Sequence, residues 1–503
     1  MSAYAYEAAA EPFARSREMF ASVVGELEST ETVRCTHGEL EDLLTRRSRE
    51  LVRTLMQDHL DLRAAGEQRQ EEVTGADGVA RTRVEKGHQR ALGTVFGEVT
   101  VTRMAYRAPA AANLYPADGV LNLPEEKHSH GLRRLAAIES ARGSFTQAAA
   151  AVERATGVRV GKRQLQQLAQ AAAVDVDSFY AQQRPGPRPE DDLLVLTADA
   201  KGIDMLPKAL RETTRKTAAG SRHKLATRLS PGEKTGRKRM AELGCVYDAV
   251  PVPRTPTDII CRPGRPSDPK RRRGPAAEGK WLTASVTDDI PAVVGQVFDE
   301  ATRRDPHQQR TWVALVDGNR TQIEAIQDEA NHRRVTVGIV IDFIHVLEYL
   351  WKAAWSFFYT ADPEAERWVA DQATKLLEGK AGDVAAGIRR RATRCGYSPA
   401  ERKGADEAAD YLTSKKPYLR YDLALQAGWP IATGIIEGAC RHIVKDRLDV
   451  TGARWGLPGA EAILTLRALQ ANGDFDTYWK FHLQQEHQRV HLNRYRQDYT
   501  LAT

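Results

Sequence analysis

Three acidic residues stand where a metal-dependent phosphoryl-transfer site would need them. Asp199 closes the apolar run Leu193 to Ala198, and Asp317 closes the run Trp312 to Val316. Glu437 lies in Thr433-Gly434-Ile435-Ile436-Glu437-Gly438-Ala439-Cys440-Arg441-His442, which opens a basic helical stretch. A strand end holds a carboxylate rigidly and exposes it at the edge of a sheet. Two such strands can bring two carboxylates close together, and a helix packed across them can add a third. A cluster of this kind suits Mg²⁺, which takes carboxylate oxygens and substrate phosphates. Taken singly, each acid is an ordinary solvated side chain among the 67 Asp and Glu. The shared context is what sets them apart.

The segments around these acids carry a family resemblance. Thr197-Ala198-Asp199-Ala200-Lys201-Gly202-Ile203-Asp204-Met205, Leu315-Val316-Asp317-Gly318-Asn319 and Gly434 to Trp455 resemble DDE transposases of the ISKra-four insertion-sequence family. The most specific stretch runs from Ile435-Ile436-Glu437-Gly438-Ala439-Cys440-Arg441-His442 to Thr451-Gly452-Ala453-Arg454-Trp455. The likeness covers roughly residues 85 to 485. Asp342-Phe343-Ile344-His345 is similar to the D-x-x-H element that Mutator-like and hAT-like transposases carry after their second catalytic Asp.

The resemblance implies an α/β, RNase H-like catalytic core, a mixed sheet flanked by helices. It also implies a helical insertion and a mainly α N-terminal DNA-binding region. Asp199, Asp317 and Glu437 would be the catalytic residues and the ligands of two Mg²⁺ ions, with Mn²⁺ able to substitute. These ions would activate water against a phosphodiester at each transposon end and stabilise the leaving 3′ oxygen, and the freed 3′-OH would then attack target DNA. Asp342 and His345 form a second tier. His345 would contact a phosphate, a flipped base or the Glu-bearing helix, or else pair with Asp342 as a buried structural couple. Trp455 would stack on a displaced base near a cleaved end, or pack in the core as most Trp do.

Composition sets the frame. A chain of 503 residues, 42% hydrophobic and 28% charged, predicts two to four folded domains in water. It shows no run of 18 apolar residues and no signal-peptide core, which predicts a cytoplasmic protein with no membrane partner, and the resemblance implies association with the bacterial nucleoid. The five cysteines, Cys35, Cys245, Cys261, Cys395 and Cys440, form no C-x-x-C pair, so neither a disulfide framework nor a zinc ribbon is expected. Cys440 shares a helical face with Glu437 and reads as packing.

Charge is unevenly placed. Net charge is +6, yet residues 207 to 280 hold 19 Lys or Arg against 7 Asp or Glu. Arg237, Lys238, Arg239 and the run Lys270, Arg271, Arg272, Arg273 carry much of it, with Pro and Gly between, as in Arg262-Pro263-Gly264-Arg265-Pro266. The segment reads as a mobile basic loop that binds the DNA backbone, or as a solvated loop with no partner. Beyond it, Glu437, Arg441, Lys445 and Leu448 recur at near-helical spacing, placing one acid and two bases on one face. A surface ion pair between Glu437 and Arg441 is the plainer alternative.

Hydrophobic periodicity supplies the elements. Residues 1–65 form a helical segment. Residues 66–180 hold a linker, a hairpin about Phe96-Gly97 and helices, including a possible helix-turn-helix about Thr156-Gly157-Val158. Lys162, Arg163 and Gln164 begin its second helix and are the expected readers of transposon ends, although an ordinary helical pair fits equally well. Residues 191–342 alternate strands and helices as the first part of the core, and the resemblance implies that its first and fourth strands are neighbours. Residues 343–425 are the helical insertion, 430–485 return to the core with Glu437, and 486–503 are a tail.

The expected function is therefore metal-dependent cleavage at transposon ends and strand transfer into target DNA, by a homodimer or higher assembly on DNA. A structure-selective RNase H-like nuclease, or a domesticated non-catalytic DNA-binding protein, are the alternatives. Joined products separate the first alternative and metal-dependent cleavage the second.

Overall fold

The computed structural model describes residues 11–220, 236–261, 269–450, 452–497 and 499. The segment Arg262 to Pro266, Thr451 of the motif, and the extreme ends of the N-terminal segment and the tail lie outside the described residues. The chain divides into two units, Met1–Phe179 with Phe475–Thr503, and Tyr180–Asp474.

In the first unit, α1 (Ala14–Glu28) is tied to α2 (His37–Gly66) at Asp58. That buried carboxylate accepts from the Ser16 hydroxyl at 2.6 Å and from Arg15 Nε at 2.8 Å. A capping box starts α2: the Thr36 hydroxyl accepts from Glu39 N–H, and the Glu39 carboxylate accepts from Thr36 N–H. The hairpin pairs β1 (Arg83–Thr94) with β2 (Gly97–Arg107), Thr94 facing Gly97 across a tight turn at Val95-Phe96. The alternation about Phe96-Gly97 located it, and β1 begins late in residues 66–90, a stretch that reads as linker with a strand starting near its end. Leu60 of α2 packs on Leu92, Val99 and Val101 of the hairpin.

Next come α3 (His130–Arg142), α4 (Phe145–Thr156) and α5 (Lys162–Ala172), closed around Leu132, Ala136, Val152, Leu165 and Leu168. The α4–α5 corner falls at Gly157 (φ +73°), as its sequence implied. The helix Phe475–Val490 folds back on this unit rather than extending the core to residue 485. Its Tyr478 hydroxyl donates to Ala172 O at 2.6 Å, and its His482 and Arg489 both bond buried Asp175.

The second unit is built on a five-stranded mixed sheet. Its strands are β3 (Leu193–Asp204), β4 (Lys238–Ala249), β5 (Glu278–Ser285), β6 (Trp312–Val316) and β7 (Val337–Ile341). The order is β5-β4-β3-β6-β7, with β4 antiparallel to both neighbours and β3, β6 and β7 parallel. The first and fourth strands are thus neighbours, as expected. The strand β6 is buried over its whole length, which is why it reads as an unbroken apolar run. Helix α6 (Ile290–Arg304) lies close against β4 at Gly244, where a Cβ would come within 2.3 Å of Val297 Cγ2.

Helix α7 (Arg320–Arg333) leads into β7, and past β7 the chain is helical, as periodicity predicts. It forms α8 (Phe343–Ala354), α9 (Pro363–Leu377), α10 (Ala381–Arg394) and α11 (Lys403–Ser414). The Glu-bearing helix follows as α12 (Gly434–Ala439), and then α13 (Leu457–Ala471). Helix α13 covers the sheet edge: Glu461 accepts from Val286 N–H and Thr287 N–H, and Asn472, just past its end, bonds both backbone groups of Leu282. No described helix is long and apolar enough to cross a membrane.

The first unit should lose stability on mild acidification. Burial holds His128, His130, His482 and His491 below the ordinary histidine pKa. The unfolded chain therefore takes up protons first as pH falls below about 6.5, and stability that is full above that point drains away. Asp175 adds a second loss at lower pH: burial pushes its carboxyl up, but Arg489 and His482 outweigh this and hold it below its ordinary value. Amide exchange in α3 and in Phe475–Val490, corrected for the intrinsic rate, should be faster at about pH 5.5 than at about pH 7.5. Unchanged protection would refute the assignment.

Candidate active site

Strand register brings the acids together. The parallel ladder pairs Leu194 with Trp312 and Thr197 with Leu315. Continued by two residues, it sets Asp317 level with Asp199. On the other side Val316 pairs with Ile341, and Asp342 N–H donates to Val316 O at 2.8 Å, which sets Asp342 level with Asp317. Three aspartates thus stand in a row where the parallel strands end. Asp199 itself is in mid-strand rather than at a strand end, because β4 pairs with β3 through Asp204, well beyond the last residue that β6 pairs.

Each acid is held differently. Asp199 Oδ1 accepts from Ala200 N–H at 2.7 Å, and the Cys440 thiol donates to Oδ2 at 3.3 Å. Burial raises the Asp199 pKa, and the nearby Asp317 charge adds to the rise. Burial and the Asp199 charge keep Cys440 a thiol, so it serves as a donor. Its packing role therefore includes a contact with the site.

Asp317 Oδ1 accepts from Asn319 N–H at 2.7 Å, closing a turn that Gly318 makes possible with φ +94°. The Tyr411 hydroxyl of α11 donates to Asp317 O at 3.1 Å, and its ring stacks on Tyr349 of α8 with centroids 3.9 Å apart. The helical insertion therefore braces the turn that carries Asp317.

Asp342 is 1% exposed and caps α8: its Oδ1 accepts from Ile344 N–H at 3.0 Å. Its Oδ2 accepts from the Thr433 hydroxyl at 2.8 Å, and that same hydroxyl lies 3.3 Å from Glu437 Oε1. Burial raises the Glu437 pKa, followed by the charge of Asp342, with Asp199 contributing as well. Glu242 of β4, 7% exposed, is pushed up to about 7 by burial, with Asp199 adding to the rise.

The helix beyond Glu437 departs from expectation. It widens to a π-helix over Cys440–Lys445 before a last α turn at Asp446–Leu448. Bonding i to i+5 changes the angular step per residue, so the near-helical spacing no longer marks one face: Glu437, Arg441 and Lys445 are exposed while Leu448 is buried. Arg467 of α13 donates to the carbonyls of Ile443, at 2.8 Å, and of His442. Among the described residues no ion pair joins Glu437 to Arg441.

Other expected site residues fall elsewhere. His345 and Asp342 do not form a buried couple: His345 is partly exposed, lies 3.6 Å from Glu348 and sits against Tyr349 and Tyr411. One helical turn separates the Asp342 cap from the ring, and the cap is already engaged by Ile344 and Thr433. Trp455 is buried, and its indole N–H donates to Leu448 O at 3.0 Å, so packing and not base stacking holds it. The Arg447 guanidinium lies 4.7 Å from its ring centroid.

The basic segment is not one loop, because β4 runs through it. Arg237 is exposed, Lys238 pairs with Asp449 at 3.3 Å, and Arg239 is spent on the carbonyls of Val286, Ala209 and Thr287. Arg271 donates to the carbonyls of Asp258 and Ile259, and Arg272 to Pro253 O. Lys270 and Arg273 are exposed. In the first unit Lys162, Arg163 and Gln164 are exposed on the first turn of α5, with Gln164 Oε1 accepting from Gly161 N–H.

The acids form a cluster of oxygen donors in which neighbouring like charges raise the pKa of Asp199, Glu242 and Glu437, partly offset by Lys201 beside Asp199 and Arg211 beside Glu242. As they stand, no three His, Cys, Asp or Glu side chains among the described residues are grouped to hold one metal ion. Sequence reasoning missed Thr433, Tyr411, Glu242 and the π-helix. Thr433 lay inside the quoted motif, but nothing in a linear pattern pairs it with Asp342.

No family model and no curated protein matches the chain. Four chains among the solved structures match it, among them one from the Drosophila P element transposase strand transfer complex. That chain is 12% identical, with 72% of this chain and 81% of that one covered, at a TM-score of 0.22. A score that low leaves the fold to be read from the strand order itself.

The turn at Gly318 yields a prediction. A Cβ there would lie 2.3 Å from the Tyr411 hydroxyl oxygen, on a backbone that already disfavours side chains. Gly318→Ala should destabilise the second unit by about 1–3 kcal/mol from the backbone alone. Tyr411→Phe removes the obstructing oxygen along with one hydrogen bond, so the double variant should lose less than the sum of the two singles in denaturant midpoints. Strict additivity would mean that the two residues do not meet.

Proposed function

We propose that the chain is a metal-dependent DNA-cleaving and strand-transferring enzyme, a DDE transposase on an RNase H-like core, of the ISKra-four kind. The observation that carries this reading is the row of Asp199, Asp317 and Asp342, level with one another where the parallel pairing ends, with Glu437 brought beside Asp342 through Thr433. The β5-β4-β3-β6-β7 order with β4 antiparallel supports the RNase H-like assignment.

The residues fit Mg²⁺ by chemistry: carboxylate oxygens, with pKa values raised by burial, at Asp199 also by the Asp317 charge and at Glu437 also by the charges of Asp342 and Asp199. Mg²⁺ keeps several waters and commonly takes only one or two carboxylates plus substrate phosphates, so a closed protein cage is not required. Asp199, Asp317 and Glu437 would hold it, and Mn²⁺ would substitute. When bound, such ions supply Lewis-acid activation of water and stabilise the charge on the leaving oxygen. The chain's own groups do the rest. Tyr411 and Gly318 fix the Asp317 turn, and Cys440 orients Asp199. Asp342, with one oxygen capping α8 and the other accepting from Thr433, would serve as support rather than as a ligand.

Exposed Arg237, Lys270, Arg273, Arg441 and Lys445, with the pinned Arg271 and Arg272, would follow the DNA backbone. Carbonyl hydrogen bonds fix a guanidinium without neutralising it, whereas Lys238 is already paired with an acid. Lys162 and Arg163 would contact transposon ends from α5, and holding two ends calls for a dimer or higher assembly on DNA.

Two tests follow. Asp199→Ala, Asp317→Ala and Glu437→Ala should each lower cleavage and joining by about three orders of magnitude while DNA binding persists, since a bound dication contributes several kcal/mol. Full activity in any one variant removes that residue from the site, and cleavage without joined products identifies a nuclease instead. Replacing Lys270 to Arg273 with Ala should flatten the slope of log affinity against log salt by at most about 3.6, at roughly 0.9 per phosphate neutralised. An unchanged slope would leave those charges with no DNA partner.

A further inference from the structure

One hydroxyl stands between two carboxylates. The Thr433 side chain is held in a buried setting, 5% exposed, where it reaches Asp342 Oδ2 at 2.8 Å and Glu437 Oε1 at 3.3 Å. A hydroxyl carries one proton, so it cannot donate fully to both. The shorter contact is the stronger branch, and Asp342 cannot move to relax it. Its other oxygen caps α8, its N–H is in the strand ladder, and Phe343 N–H donates to Ile431 O at 2.8 Å, tying this corner to the segment leading to Thr433. Anchored this way, the hydroxyl has a fixed position relative to the ends of β6 and β7. Glu437 does not: it is exposed, on a six-residue helix that turns into a π-helix. Its carboxylate finds a fixed polar partner in Thr433, which engages Oε1 and leaves Oε2 as the oxygen outside that contact.

We infer that Thr433 is a positioning residue: anchored on the buried Asp342, its hydroxyl sets where the Glu437 carboxylate stands. This rests on the reading of Asp199, Asp317 and Glu437 as cation ligands. On this inference the D-x-x-H-like Asp, which also meets Glu437 directly, contributes by fixing the hydroxyl that aims this neighbouring acid. Losing the hydroxyl leaves Glu437 without its guide while every proposed ligand remains.

The test uses the full chain. Thr433→Val keeps the shape and removes the hydroxyl, and Thr433→Ser keeps the hydroxyl. Two quantities are read: Mn²⁺ affinity of the DNA-free protein by calorimetry, and the Mg²⁺ concentration for half-maximal cleavage of a transposon-end duplex. Both should weaken about ten- to a hundredfold in Thr433→Val, the usual scale for a lost supporting contact to a ligand, and return to within about threefold in Thr433→Ser. Thermal midpoints check folding. If the valine variant does not fold, Thr433→Cys against Thr433→Ser repeats the comparison with sulfur in place of oxygen. Equal metal dependence in hydroxyl and non-hydroxyl variants overturns the positioning role alone. A wild-type protein that neither binds Mn²⁺ nor cleaves overturns the ligand reading and this inference with it.

Discussion

The short parallel ladder between β3 and β6 is the constraint on which the second unit depends. It couples segments more than a hundred residues apart, through Leu194 to Thr197 against Trp312 to Leu315. A parallel pair cannot be made by a hairpin, so everything between the two strands must leave the sheet and return. That excursion contains β4, β5, the basic segments and α6. Because side chains alternate along a strand, a slip of one residue would turn Asp199 to the other face and put Ala198 or Ala200 level with Asp317. The buried run of β6 opposes such a slip, since it would also misplace Trp312 and Val313.

Support for the acids comes from elements remote in sequence. Tyr411 reaches back from the helical insertion to the Asp317 turn, and Thr433 reaches across to Asp342. The insertion is thus a brace for the sheet end as well as a separate helical layer. The π-helix after Glu437 follows the same logic. A helix with an altered ladder has carbonyls to satisfy, and Arg467 supplies donors to two of them. Departures from regular geometry gather near functional groups because the surrounding structure can hold them there. Here Gly318, the π-helix and the like-charged acids all lie in one region.

Positive charge has two distinct fates in this chain. Arg239, Arg271 and Arg272 direct their forks at backbone carbonyls and so organise the connections on either side of β4. Hydrogen bonds to carbonyls hold a guanidinium in place without pairing it to an acid. Lys238 differs, since Asp449 offsets its charge directly. A count of Lys and Arg overstates how many are available, while a judgement that the segment cannot order itself understates its structure.

Local pattern made most elements readable. Alternation located the hairpin about Phe96-Gly97, and unbroken apolar runs marked β6 and the start of β3. Helical periodicity outlined the insertion, and the residues Asp199, Asp317 and Glu437 were nameable from their positions at the ends of such runs or in a distinctive motif. These features are legible because each depends on neighbours within a few residues. What tertiary structure alone decided is pairing at a distance: that β3 continues to Asp204 because β4 is there to bond it, that Trp455 is enclosed, and that α12 becomes a π-helix. It also decided that Phe475–Val490 belongs with the N-terminal unit and that Thr433 lies between Asp342 and Glu437. A hydroxyl can donate in any direction and a carboxylate can accept from any donor, so their residue types carry no address. Only the folded register supplies one.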